Sequence, residues 1–229
     1  MLKKTIIATA LLVASALASA APFTFSPALM HSNDGKPAPV GPDTFQGFTI
    51  GKSLLSQAPD CTDPQTYHAP FKGSCFAHRT GSSGAVVIAA PGLSAHAVAP
   101  GADQSSLLGY HAPTIVDTQY YEDNPRLPRP VHVVITSLPA TDQTAQKLVT
   151  WMAQQYGNPS SVTPTEVTWT FQDLEAKVVY GPEDVALNVP SAGPARVLYA
   201  EVYDTAHAGN AQQLLQEFGG YLFNTSPTK

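Results

Sequence analysis

The chain has 229 residues, of which 43% are hydrophobic, and this is enough apolar material to exclude wholesale disorder. Its formal net charge at pH 7 is −5 and it has no cluster of Lys and Arg, which argues against nucleic acid or an anionic membrane surface as a partner. Charged residues make up only 13% of the chain, against roughly 25% in an average domain, so uncharged polar residues must supply much of the surface.

The first twenty residues have the layout of a secretory signal peptide. Lys3 and Lys4 precede an apolar run over residues 5–17, and Ala18 and Ala20 place small residues at positions −3 and −1 of a cleavage site. A membrane anchor is the alternative, but the run is shorter than the roughly 20 residues that span a bilayer. We therefore expect a signal peptide over residues 1–20, a periplasmic or secreted product and no membrane span.

Residues 21–44 form a lead-in rich in proline, which favours an extended or poorly ordered segment. A first module is predicted over residues 45–138. It begins with a short helix over residues 51–58, in which Ser53 is a plausible N-cap. Strands are predicted over the ranges 71–79, 84–90, 114–121 and 131–135, with Pro/Gly-rich loops over 91–113 and 122–130.

The last of these strands alternates in character. Val131, Val133 and Ile135 are expected to point inward, which would leave His132 as a surface histidine on the opposite face.

Two cysteines, Cys61 and Cys75, lie in this first module. In an oxidising compartment an isolated pair is most simply a disulfide. Zinc is the alternative, because His68 and His78 lie close by in the sequence, although only Cys75 and His78 have the close spacing that structural zinc ligands usually show. Two reactive thiols in the unreduced protein would contradict the disulfide.

A second module is predicted over residues 139–229. Thr141 or Asp142 caps a helix with apolar residues at helical spacing, and Gly157 ends it. Residues 167–171 and 174–180 alternate as the two arms of a hairpin, and residues 196–204 form a third strand. A final helix reaches Gly219 and Gly220. The predicted fold class is α+β, with helices packed on antiparallel sheets in two similar helix-plus-meander sub-modules.

Two short segments, Phe48-Thr49-Ile50-Gly51-Lys52-Ser53 and Tyr156-Gly157-Asn158-Pro159, carry a family resemblance. They resemble parts of the signature of small exported bacterial modules related to BamE and the β-lactamase inhibitory protein. In that signature one turn opens a helix and the other closes one. The resemblance implies protein binding in the periplasm by a small curved sheet, without catalysis, and it assigns no functional residue.

A serine hydrolase is one functional hypothesis. Ser94 follows a predicted buried strand in a Gly-x-Ser turn, and a later Asp173 or Asp184 and His207 would complete the order of an α/β-hydrolase triad. His96 occupies the position where the nucleophile elbow requires glycine, and the repeated βαβ units of that fold are missing from the pattern.

Protein binding is the hypothesis that we favour. Tyr120, Tyr121, Arg126 and Arg129 lie in one proline-rich stretch, and tyrosine and arginine are common in recognition surfaces. A stiff connection between strands is the alternative. Loss of partner capture in a Tyr120→Ala/Tyr121→Ala variant of unchanged stability would support the hypothesis, and unchanged capture would contradict it.

The sequence therefore predicts an exported, non-catalytic protein-binding or inhibitor-like module, with the hydrolase and a structural envelope-assembly component as alternatives. We expect no catalytic residue, cofactor or metal ligand. No pair of the seven histidines shows the His-Glu-x-x-His spacing that sets two metal ligands on one face of a helix. The later aromatic residues are expected to belong to the core, namely Trp151, Trp169, Phe171, Tyr180, Tyr199 and Tyr203.

Overall fold

A computed structural model describes eight stretches of the chain: residues 23–25, 43–59, 75–77, 86–89, 106–111, 114–118, 130–182 and 196–223. The strands in these stretches are β1 (Thr44–Phe45), β2 (Phe48–Thr49), β3 (Cys75–Ala77), β4 (Val86–Ala89), β5 (Ser106–Leu107), β6 (Tyr110–His111), β7 (Thr114–Thr118), β8 (Val131–Leu138), β9 (Ser161–Val162), β10 (Glu166–Thr170), β11 (Leu174–Pro182) and β12 (Arg196–Asp204). The helices are α1 (Asp142–Tyr156) and α2 (Ala208–Phe223), with 3-10 turns at Leu54–Ser56 and Thr205–His207.

Eight strands form one antiparallel sheet in the order β3-β4-β7-β8-β12-β11-β10-β9. The predicted combination of helices with antiparallel strands is confirmed. Because β8 pairs directly with β12, the sheet continues across residue 138, where the sequence suggested a division.

The two helices cover opposite faces of this sheet. Leu148, Val149 and Met152 of α1 belong to one buried core, and Leu214 and Leu215 of α2 belong to the other. The strand between them, β8, is buried along its whole length. Burial on both faces explains why the central strands carry nearly continuous apolar residues.

The local predictions for α1, the following hairpin and the third strand of the second half are confirmed. Thr141 caps α1, since its side chain accepts a hydrogen bond from the Thr144 backbone N–H at 3.1 Å. Gly157 follows the helix with a φ of 79°, a conformation that strongly favours glycine. The hairpin of β10 and β11 and the strand β12 also lie where the alternation of residues placed them.

Three local predictions were wrong. In place of a helix over residues 51–58 there is only the 3-10 turn Leu54–Ser56, and the Ser53 side chain makes no capping hydrogen bond. The final helix continues through Gly219 and Gly220 to Phe223, because Leu222 is buried in the core and its carbonyl accepts a hydrogen bond from the Ser137 hydroxyl. The predicted loop over residues 91–113 contains a short hairpin of β5 and β6, whose turn residues Leu108 and Gly109 both have positive φ angles.

Part of the predicted lead-in packs on the core. The Phe25 backbone N–H donates to the carbonyl of Pro164 at 3.1 Å, and its ring is buried. Phe23 contacts the Tyr180 ring edge-on, with the ring centroids 5.0 Å apart. The two aromatic rings give this proline-rich segment apolar surface to bury.

Candidate functional site

An irregularity in strand pairing brings His132 to the face of the sheet that α2 covers. Thr118 pairs with Val131 and Asp117 pairs with Val133, so β8 carries one extra residue, His132, at this point. The bulge explains why Val131 and Val134, three residues apart, lie in the same core under α1, whereas Val133 lies under α2.

His132 is therefore not the surface histidine that the alternation suggested. It is only 7% exposed, and its ring stacks on that of His207 with the centroids 3.7 Å apart and the planes 24° apart. All three apolar residues expected to point inward are buried, but they do not share one face, since Val131 faces the core opposite to that of Val133 and Ile135.

The second histidine is positioned by the end of β12. The Oδ1 atom of Asp204 accepts the Ala206 backbone N–H at 2.8 Å and so caps the 3-10 turn Thr205–His207. The Oδ2 atom of the same carboxylate faces both imidazoles, at 3.4 Å from Nδ1 of His207 and 3.9 Å from Nδ1 of His132. We call His132, Asp204 and His207 the histidine cluster.

Three of the four imidazole nitrogens of this cluster are buried and make no hydrogen bond with the described part of the chain. Among the described residues, neither Nδ1 nor Nε2 of His132 makes a hydrogen bond, nor does Nδ1 of His207. Leaving a buried polar atom unsatisfied costs about 1–3 kcal/mol, so three such atoms in one place require an explanation.

Electrostatics favour a neutral His132. Burial lowers the pKa of His132, and the positive charge that His207 carries when protonated lowers it further, against the opposing effect of Asp117 and Asp204. Neutral imidazole is the form that binds metal ions.

A buried carboxylate stands beside the cluster. Asp117 on β7 is fully buried, and its Oδ2 atom accepts a hydrogen bond from Nδ2 of Asn210 in α2 at 2.6 Å. Burial raises the pKa of Asp117, although Asn210, the two histidines and the Thr118 backbone N–H oppose this shift. Its Oδ1 atom makes no hydrogen bond with the described part of the chain.

The donor atoms of the histidine cluster suit a metal ion of the zinc class. One atom from each of His132, Asp204 and His207 lies within 4.8 Å of the other two. A tetrahedral zinc ion with ligands at about 2.0–2.1 Å holds its donor atoms about 3.3 Å apart. The 3.4 Å separation fits this value, and the 3.9 Å separation would have to shorten.

The stacking of the two imidazoles sets one requirement for such binding. The lone pair of an imidazole lies in the plane of its ring, so two nearly parallel rings do not direct their lone pairs at one point. One ring must turn, and His207 is the freer of the two, since its side chain is 26% exposed and that of His132 only 9%.

Of the residues that the sequence suggested for catalysis, metal binding or recognition, only His207 belongs to this site. The carboxylate that faces it is Asp204, not Asp173, which lies in the turn between β10 and β11. The backbone of Cys75 lies in β3, but its side chain is not described. The other candidates lie outside the described residues, namely Cys61, Ser94, Tyr120, Tyr121, Arg126, Arg129 and Asp184.

Sequence reasoning missed Asp117, Asp204 and Asn210, and it assigned His132 to the surface. A signal was available for two of them, because Asp117 and His132 each interrupt an otherwise apolar or β-branched strand. A polar residue in a strand that is buried on both faces needs a partner, and such a residue marks a candidate site.

Comparison with protein-family models, curated proteins and solved structures found no match to this chain. No helix within the described residues is both long and apolar enough to cross a membrane.

Proposed function

We propose that this protein binds one divalent d-block metal ion, of the zinc class, through His132, Asp204 and His207, and that its role is binding rather than catalysis. The observation that carries the proposal is the convergence of two imidazoles on one carboxylate oxygen, with three of their four nitrogens buried and without a hydrogen bond to any described residue. The proposal replaces our expectation that the chain has no metal ligand.

The ligand types select the class of ion. Two imidazole nitrogens and one carboxylate oxygen suit zinc and its neighbours, whereas Mg²⁺ and Ca²⁺ prefer sites made of oxygen. A metal ion on the two Nδ1 atoms would satisfy two of the three unpartnered histidine nitrogens. Three protein ligands leave a fourth position for water or for a group of a bound molecule.

Metal binding is tested by titration of the full chain with Co²⁺ and Zn²⁺. We expect a visible Co²⁺ absorption typical of tetrahedral coordination, which Zn²⁺ displaces, and a rise in unfolding free energy of about 2.7 kcal/mol at a free metal concentration of roughly 100 times Kd. The His207→Ala variant is expected to weaken binding by more than about 100-fold, since loss of a ligand should exceed the 10–100-fold effect of losing a supporting residue.

Two further variants sharpen this test. Asp204→Ala should also abolish the Co²⁺ absorption, whereas Gln154→Ala, an exposed change on α1, should leave it intact. Far-UV circular dichroism establishes that each variant is folded. Wild-type affinity in the folded His207→Ala variant would refute the assignment, because five other histidines could then be the ligands.

A hydrolase is the second candidate, and the pairing of Asp204 with Nδ1 of His207 favours it. A carboxylate at this nitrogen orients a catalytic histidine in the Ser-His-Asp arrangement. In this triad Asp204 would be the acidic residue, in place of the Asp173 or Asp184 expected from the sequence, and Ser94 would be the nucleophile. Ester hydrolysis that Ser94→Ala abolishes is expected under this hypothesis, and hydrolysis that survives the change would exclude Ser94.

We also propose that the sheet consists of two related halves. The orders β3-β4-β7-β8 and β12-β11-β10-β9 are both four-stranded antiparallel meanders, and each follows a helical segment, the 3-10 turn Leu54–Ser56 or α1. This arrangement supports the proposed relation between the two halves. Failure of the two halves to superpose in an experimental structure would contradict it.

Export of the protein, the Cys61–Cys75 disulfide and recognition of another protein by the loop around Tyr120 and Tyr121 also remain proposals. The signal-peptide layout and the composition of the loop support them.

A further inference from the structure

Asp117 lies where the bulge of β8 begins. It pairs with Val133, the residue that follows His132, and so it shares the α2 side of the sheet with the histidine cluster. Both histidines attract its negative charge when they are protonated. Asp117 is nevertheless not one of the residues whose donor atoms lie together as a possible ligand set.

The two oxygens of Asp117 differ in their surroundings. The Nδ2 atom of Asn210, the third residue of α2, donates a hydrogen bond to Oδ2 at 2.6 Å. Within the described stretches Oδ1 has no donor, although the side chain is fully buried. An unsatisfied carboxylate oxygen at a buried position lacks one N–H or O–H group.

His132 offers the matching group. Its Nδ1 atom lies 3.9 Å from Oδ2 of Asp204, so Nδ1 is the nitrogen that a metal ion bound to Asp204 would meet. A neutral imidazole carries one N–H, so coordination through Nδ1 places that N–H on Nε2. In the described part of the chain, Nε2 of His132 is buried and has no hydrogen-bond partner.

We propose that Asp117 is a positioning residue for the metal site, with its Oδ1 atom accepting the Nε2–H of His132 while Asn210 holds Oδ2. This proposal rests on the proposed metal binding. Histidine ligands almost always donate their second N–H to a carboxylate, a carbonyl or water, and this bond selects the tautomer and fixes the ring. Because neither Oδ1 of Asp117 nor Nε2 of His132 has a hydrogen-bond partner among the described residues, this bond would form as the metal ion binds and would then hold His132, the more buried ligand.

The test compares Co²⁺ affinity and the Co²⁺ spectrum in wild type, Asp117→Asn and Asn210→Ala. Asp117→Asn keeps the shape of the side chain and removes its charge, so we expect affinity to fall 10–100-fold while the spectrum of the saturated protein is retained. Asn210→Ala should act in the same direction. The double variant should lose less than the product of the two single losses, because both act through one chain of hydrogen bonds.

Matched controls are Asp173→Asn, an exposed carboxylate, and Gln216→Ala, an exposed side chain of α2. If Asp117→Asn binds Co²⁺ within twofold of wild type, the positioning role is refuted. A spectrum changed in the way that Asp204→Ala changes it would also refute the role, since Asp117 would then be a ligand. If wild type itself binds no Co²⁺, the proposed function fails first, so the two failures are distinguishable.

Discussion

The Glu201→Gln variant is expected to unfold with a free energy about 3 kcal/mol higher than wild type at pH 8, and with nearly the same free energy at pH 4. Glu201 lies in β12 and is only 6% exposed. Burial raises its pKa to about 7, and the negative charges of Glu166 and Glu175 add to the effect, whereas Lys177 opposes it.

Lys177 does not compensate fully, because it has a closer partner. Glu201 pairs with Lys177 across β11 and β12, but the Lys177 Nζ atom lies 3.0 Å from Oε1 of Glu175. Glu175 also accepts a hydrogen bond from the Tyr203 hydroxyl. Among the described residues, the Oε2 atom of Glu201 makes no hydrogen bond.

The direction of this pH effect follows from the linkage between proton binding and folding. A carboxyl group whose pKa is higher in the folded protein than in the unfolded chain binds its proton more tightly when folded. Its contribution to stability is fully present below the unfolded value of about 4.5 and is lost as the pH rises to about 7. Glutamine carries no charge at any pH, so it avoids this loss.

Urea denaturation of wild type and Glu201→Gln at pH 4, 6 and 8 measures the effect. The change with pH in the stability difference between the two proteins isolates the effect of the charge, because altered packing contributes equally at each pH. Asp173→Asn, in the exposed turn between β10 and β11, is the matched control. If the stability difference does not grow between pH 4 and pH 8, ionising Glu201 costs no more free energy in the folded protein than in the unfolded chain, and the prediction is wrong.

Removal of the indole of Trp169 is expected to destabilise the protein by about 3–5 kcal/mol. This side chain in β10 is 1% exposed and packs near Tyr156 of α1, with ring centroids 6.3 Å apart. Its Nε1–H donates to the carbonyl of Gly157 at 2.8 Å, and so it ties the end of α1 to the sheet. Trp169→Ala loses buried apolar area, leaves a cavity and leaves that carbonyl without its donor.

A second variant separates these contributions. Trp169→Phe keeps most of the apolar contact and removes the donor, so we expect a smaller loss of about 1–3 kcal/mol. The chemical denaturation of both variants is monitored by circular dichroism rather than by fluorescence, because each substitution removes the Trp169 fluorophore. If Trp169→Ala costs less than about 1 kcal/mol, the ring does not anchor α1 to the sheet.

Trp169 also shows how well the sequence predicted the core of the second half. The aromatic residues expected in the core are buried, with Trp151 only partly so. The helix α1, its cap at Thr141 and the hairpin of β10 and β11 were predictable because their determinants are local in sequence: helical spacing, a capping oxygen and strand alternation.

The histidine cluster was not predictable in the same way. Asp117, His132 and Asp204 lie far apart in the chain, and only the pairing of β7, β8 and β12 brings them together. Alternation placed His132 on the wrong face, since a single extra residue in β8 reverses the side of the sheet on which it lies. His207 attracted attention as a possible catalytic histidine, but its carboxylate is three residues away at Asp204.

The sequence by itself determined the α+β class, the elements of the second half and the aromatic core. Residue periodicity and helix caps depend only on residues that lie close together in the sequence. Only the tertiary structure decided that eight strands join in one sheet and that a bulge turns His132 toward Asp204 and His207. The physical reason is that strand register and bulges depend on hydrogen bonds between distant segments, and no local pattern of residues encodes which segments pair.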